Sequence, residues 1–187
     1  MSFKHQDDIV FGIAEELVSR SDFFAADERI ATVYFGGGTP SVLNKEQIST
    51  LLSIIKQHYN LVENPEITFE CNPDDLSLDY LQMLKSVGVN RLSIGIQSFD
   101  ESHLKWMNRS HTAAQSLECV TYAAQVGFED ITIDLIYGIP ALSAAQWRDT
   151  VQQALQLPIN HLSAYSLTLE ENTPYKKLVQ QKKYVKP

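Results

Sequence analysis

Arg91-Leu92-Ser93-Ile94-Gly95-Ile96-Gln97 has a strand's alternation, and its two faces differ in kind. Side chains alternate across a β-strand. Leu92, Ile94 and Ile96 therefore share one face, and Arg91, Ser93, Gly95 and Gln97 share the other. The same split recurs in Ile131-Thr132-Ile133-Asp134-Leu135, where Thr132 and Asp134 oppose the aliphatic residues. It recurs again in Ile67-Thr68-Phe69-Glu70, where Thr68 and Glu70 oppose Ile67 and Phe69. An open parallel sheet covered by helices on both sides needs strands that are apolar on both faces. Strands apolar on one face suit a barrel with helices outside and a ligand-lined interior. Glu70, Gln97 and Asp134 end such strands, which places them at the mouth where barrel chemistry occurs.

Around these strands the chain alternates helix and strand in units of about 30 residues, the length of a βα crossover. Amphipathic periodicity predicts helices near Gln6–Ser19, Lys45–Gln57, Leu78–Val87, Ala113–Val126 and Ala144–Leu155. Strands are expected near Thr32–Phe35, Glu66–Cys71, Arg91–Gln97, Asp130–Ile136 and His161–Leu167. Asn44 with Gln47, Thr112 with Gln115, and Ser143 with Gln146 have the spacing of capping boxes. Gly88 and Gly127 stand where helices end in a left-handed residue. Such alternation argues for parallel strands joined by crossover helices.

The 187 residues suffice for one sizeable domain, and 44% hydrophobic with 20% charged residues is ordinary for a globular protein. A net charge of −8 argues against nucleic acid as a partner. No apolar run approaches the roughly 18 residues that a membrane span needs, and the N-terminus has no signal-peptide pattern. Cys71 and Cys119 match no metal spacing. The expectation is a cytoplasmic protein with both thiols reduced.

The glycine triplet in Val33-Tyr34-Phe35-Gly36-Gly37-Gly38-Thr39-Pro40 ends the first of these strands. Glycine lets the backbone take positive φ and approach a ligand closely. The triplet reads either as a tight turn or as a ligand cradle. It is neither a P-loop nor a spaced dinucleotide fingerprint. Glu70 reads either as a cap or ion-pair partner, or as a site residue. Asp134 lies inside an apolar run, so it must be paired, hydrogen-bonded or facing a wet pocket. Gln97 is either a satisfied interior amide or a ligand contact. Arg109 alone would read as a solvated loop arginine, and His111 as a surface histidine.

Together, Tyr34–Ser41, Glu70-Cys71-Asn72-Pro73, Arg91–Phe99, Asn108-Arg109 and Asp134–Pro140 follow in an order that resembles a known family. It is that of the radical S-adenosylmethionine (SAM) enzymes of the oxygen-independent coproporphyrinogen III oxidase type, with their haem-chaperone relatives. The resemblance runs from about Lys4 to about Pro174. His161–Leu167, with Glu170-Glu171-Asn172-Thr173-Pro174 behind it, looks more like the haem-chaperone branch.

The resemblance implies an α/β fold, a partial (β/α)6 TIM-like barrel of parallel strands holding SAM and a [4Fe–4S] cluster at its mouth. Gly37, Gly38 and Thr39 match the backbone that receives the methionine amino group. Glu70 matches a polar SAM contact. Gln97 and Asp134 match positions that bond the ribose and amino-acid portions. Arg109 matches the partner of the SAM carboxylate, and Ile136 a contact near the adenine. Porphyrinogen or haem is the implied small-molecule ligand, with a haem-acceptor protein as partner of the chaperone branch.

The family's C-x-x-x-C-x-x-C signature is absent from this sequence. In the family, those thiolates bind the cluster whose electron cleaves SAM to a 5′-deoxyadenosyl radical. The chain is therefore expected to begin after the cluster loop, with the first strand missing and five of six β/α units over 1–174. Residues 175–187 are expected to begin the connection to a C-terminal domain that the chain lacks. This chain alone is expected to be inactive, to contribute no metal ligand, and to self-associate through an exposed barrel edge.

Overall fold

The computed structural model describes residues 5–140, 142–171 and 173–182. The elements follow in the order α1 (Gln6–Ser19), β1 (Ile30–Phe35), α2 (Lys45–His58), β2 (Leu61–Cys71), α3 (Leu78–Val87) and β3 (Arg91–Gln97). After them come α4 (Glu101–Trp106), α5 (Ala113–Val126), β4 (Asp130–Tyr137), α6 (Ala144–Ala154), β5 (His161–Ser166) and α7 (Pro174–Gln180). The strands pair in chain order, β1-β2-β3-β4-β5, and every pairing is parallel. They form a curled half-barrel.

The two-faced strands are distributed as the sequence predicts. Ile67, Phe69, Leu92, Ile94, Ile96, Ile131, Ile133 and Leu135 form one core with Ile48, Leu52, Leu81, Leu84, Val120, Ala123 and Ala154 from the helices. Full burial of each aliphatic side chain stabilises by about 1.5–3 kcal/mol. On the inner face the Arg91 guanidinium donates to Thr68 Oγ1 at 3.1 Å and to Thr132 Oγ1 at 2.8 Å. It also lies 3.6 Å from Glu66. One side chain thus ties β2, β3 and β4 together below the mouth.

The turns are set by local chemistry. All three expected capping boxes form. Gly88 (φ 105) and Gly127 (φ 91) end α3 and α5. At each end the next residue, Val89 or Phe128, donates back to the helix and buries its side chain. Asn90 Oδ1 then accepts from Ile67 N–H at 2.7 Å, and Asn160 Oδ1 from Ile131 N–H at 3.0 Å. A strand amide is thereby satisfied by the residue just ahead of the neighbouring strand.

Two helices lie outside the sequence expectation. α4 has six residues, too few to display a period, and is capped by Asp100 Oδ1, which accepts from Ser102 N–H at 2.7 Å. α7 begins where the sequence predicts only a connection, with Thr173 capping and Pro174 in the first turn. Its Tyr175 ring meets Trp106 of α4 edge-on, centroids 5.2 Å apart. Residues 183–187 of the expected connection lie outside the described residues. β2 is longer than expected, because Leu61 already pairs with Ile30 before an irregularity in register. Among the described residues no helix is long and apolar enough to cross a membrane.

Among the described residues β1 pairs on one side only. Beside it lies a groove of about 540 Å³ between α1 and α2, lined by Ile9, Val10, Ile13, Val33, Phe35 and Leu51 among others.

Arg91→Leu removes the inner-face tie and strands the buried Thr132 hydroxyl, while Thr68 keeps its bond to Glu66. Urea unfolding should show a loss of about 2 kcal/mol; a midpoint equal to that of the unaltered chain would refute the structural role of Arg91.

Candidate functional site

The mouth is built from the turns that follow β1, β2 and β3, with Asp134 on the inner face of β4. After β1 the chain has no room for a side chain at Gly36. A Cβ there would lie 2.5 Å from the Tyr34 ring and 3.0 Å from Glu70 Oε1. Gly37 (φ 73) and Gly38 (φ 57) are left-handed, a region that L side chains avoid. Glu70, near the end of β2, holds this turn. Its Oε2 accepts from Gly37 N–H at 2.9 Å and its Oε1 from the Tyr34 hydroxyl at 2.8 Å. Desolvation raises the Tyr34 pKa, and the bond to Glu70 adds to the rise. Ser41 donates to Asp75 Oδ2 at 2.5 Å and accepts from Asn72 N–H at 3.3 Å, so the β1 and β2 turns are joined.

β3 ends in a strained residue. Gln97 has φ 67, and Ser98 N–H closes back on Ile96 O at 2.8 Å. A three-residue turn with positive central φ is the rare, strained hand. Gly95 makes room beneath it, since a Cβ there would lie 2.8 Å from Gln97 Nε2.

Arg109 arrives from the end of α4. Asn108 (φ 55) takes the left-handed position that a glycine usually holds, and Arg109 N–H returns to Leu104 O at 2.9 Å. The Arg109 guanidinium donates to Asn72 Oδ1 at 3.0 Å and to Gly95 O at 3.3 Å. Its Nε is buried with no hydrogen-bond partner among the described residues. Desolvation lowers its pKa, opposed by the charge of Asp74. A half-buried guanidinium whose hydrogen bonds go only to neutral oxygens has the chemistry to pair with a carboxylate.

Asp134 projects from the inner face of β4. Desolvation pushes its carboxyl above the ordinary value of 3.8, the Ser163 hydroxyl opposes, and the Glu70 charge adds to the rise. Gly38, Thr39, Glu70, Gln97, Arg109 and Asp134 line one cavity of about 170 Å³. Gly37 joins it through its bond to Glu70. Ile136 stands apart from that cavity lining, one inward position further along β4 and opposite Tyr165.

Sequence reasoning missed Tyr34, Asn72, Ser93 and Gly95. Tyr34 and Ser93 were visible as inward positions of their strands; Asn72 and Gly95 matter only through contacts made at long range. The reading of His111 as a surface residue is overturned. It is 2% exposed, and its Nε2 lies 3.0 Å from Ile96 O. Polarity suggested the surface, but the turn after α4 folds this histidine back under β3.

The profile of the Radical SAM superfamily matches residues 3–154. This chain belongs to that superfamily. The heme chaperone HemW of Lactococcus lactis is 40% identical over 148 residues, 79% of this chain and 39% of the relative. HemW of Escherichia coli is 36% identical over 150 residues, 80% of this chain and 40% of the relative. The mitochondrial radical S-adenosyl methionine domain-containing protein 1 of Bos taurus is 35% identical over 153 residues, 82% of this chain and 35% of the relative. The coproporphyrinogen III oxidase HemN of Escherichia coli superposes with a TM-score of 0.80 at 28% identity, covering 97% of this chain and 46% of the oxidase. The chain thus spans about 40% of the curated relatives' length.

Members of this superfamily bind SAM and a [4Fe–4S] cluster. The mouth fits the first. It offers a guanidinium with an orphaned Nε, two carboxylates, an amide and a turn of bare backbone. The residues present do not fit the second. Cys71 and Cys119 are buried and free, and burial raises both thiols, Cys119 to about 12 and Cys71 well above its ordinary value. Among the described residues no cluster of His, Cys, Asp and Glu could hold a metal.

Asp134→Asn should stabilise the chain at neutral pH. A carboxyl with a raised folded pKa is destabilising above that value, and the penalty lifts as pH falls toward 3.8. Thermal unfolding should show the gain at pH 7 and its loss near pH 4; an equal gain at both would contradict the burial argument.

Proposed function

We propose that this chain is the SAM-binding core of a radical SAM protein of porphyrin and haem metabolism. The observation that carries the reading is the Arg109 guanidinium, half-buried beside the glycine turn with its Nε unpaired. Arg109 receives the SAM carboxylate. Gly37, Gly38 and Thr39 present backbone to the methionine amino end. Glu70 sets the shape of that backbone and, with Asp134, offers negative charge to the ammonium. Gln97 and Asp134 bond hydroxyls of the ribose, and Ile136 lies toward the adenine. A cluster beside SAM would supply the electron for reductive cleavage, but the described residues of this chain do not hold one. This chain's residues bind and orient the SAM that is cleaved. This chain's own cysteines, Cys71 and Cys119, are buried and do not supply thiolates to such a cluster.

Two branches of the family fit this core. The coproporphyrinogen oxidase reading is supported by the superposition on HemN. The haem-chaperone reading, with haem as ligand and an acceptor protein as partner, is supported by identities of 35–40% to HemW sequences, against 28% to HemN. A longer protein carrying this chain would decide between them. Haem titration with a spectral shift favours the chaperone, and turnover of coproporphyrinogen III favours the oxidase. A third reading, a SAM-binding module without redox activity, follows if neither occurs.

Isothermal titration of this chain with SAM tests the core claim directly. Binding is expected, and Arg109→Leu should weaken it at least tenfold, the effect of losing a charge-assisted pair. Equal heats for both chains would sink the assignment. The open β1 edge is expected to drive self-association; a monomer at high concentration in sedimentation would count against it.

A further inference from the structure

The carbonyl of Ile96 is an unusual acceptor, because it receives two donors. One is Ser98 N–H at 2.8 Å, which closes the strained turn around Gln97. The other is the imidazole of His111, whose Nε2 lies 3.0 Å away. The preceding carbonyl, Gly95 O, accepts from Arg109. The short loop after α4 therefore sets a side chain on each of the two carbonyls that precede Gln97. Only an Nε2–H imidazole can donate to Ile96 O. Its Nδ1 then carries a lone pair, buried without a hydrogen-bond partner among the described residues. A histidine 2% exposed that spends one nitrogen on this carbonyl and leaves the other unsatisfied is costly to keep. A residue in a sparsely populated backbone region persists only where its surroundings hold it there.

We propose that His111 is a positioning residue for the site. Its Nε2–H locks the Ile96 carbonyl, holds Gln97 in the strained turn and so aims the Gln97 amide into the cavity. The inference rests on the SAM reading only for what Gln97 touches. Burial keeps the imidazole neutral by holding it below its ordinary 6.5, against the Ile96 carbonyl, which favours the charged form. The Arg109 charge lowers it further, while Asp74 and Glu101 act the other way.

His111→Leu fills much of the space without a donor, whereas the amide nitrogen of His111→Gln can reach the place of Nε2. Hydrogen exchange at the Ser98 amide reads the turn with no ligand present. It should quicken about tenfold in His111→Leu and return toward the unaltered rate in His111→Gln. SAM affinity by titration should follow the same order. In a Gln97→Gly background, where no strain remains to be held, His111→Leu should cost little further affinity. Unchanged Ser98 exchange in His111→Leu overturns the proposal. If that variant does not fold, the ¹⁵N shifts of His111 in the unaltered chain decide. An Nε2–H tautomer with a slowly exchanging ring proton supports the role, and an Nδ1–H tautomer overturns it. A chain that binds no SAM at all overturns the reading of the site, and Ser98 exchange still decides the role of His111.

Discussion

A parallel sheet that turns polar side chains inward must satisfy them from within. The helices cover only the other face, so each inward group needs a partner across the strands or a solvent-filled mouth. Arg91 answers this at the floor, where its fork reaches hydroxyls on both neighbouring strands. Glu70 answers it at the rim by taking a backbone amide and a phenol. Higher still, the hydrogen bonds of Arg109 go to a side-chain amide oxygen and a backbone carbonyl. The constraint met at the floor is thus left open at the mouth, where the Arg109 Nε has no hydrogen-bond partner among the described residues.

Strain follows the same gradient. The floor and the helix ends use low-energy devices such as capping boxes, left-handed glycines and strand-opening asparagines. The mouth gathers Gln97 at φ 67, Asn108 at φ 55 and two consecutive left-handed glycines. A sparsely populated backbone state costs about 1–3 kcal/mol for a non-glycine residue. The core of one continuous apolar cluster from α2 to α6 supplies the stability against which such costs are set.

Much of this was legible in the chain itself. Period-two alternation in Arg91–Gln97 named both faces correctly, and burial follows it at every position except Ser93, which is buried on the inner face. The capping pairs and Gly88 and Gly127 marked helix ends because their chemistry is local. α4 was not legible, since six residues complete less than two turns. Glu70, Gln97, Arg109 and Asp134 could be picked out as mouth residues, and they do line one cavity. What they do to one another could not. That Glu70 grips Gly37, that Gly95 clears space for Gln97, and that His111 lies under β3 are facts of tertiary approach. No spacing in the sequence encodes them.

Gly38, Thr39 and Pro40 wall both the polar cavity and the apolar groove along the free β1 edge. A strand laid into that groove and a ligand seated in the mouth would press on opposite sides of the same few atoms. Filling one compartment then alters the free energy of filling the other, by an amount that must be equal in both directions. The shared wall of Gly38, Thr39 and Pro40 is the place where such a linkage would run.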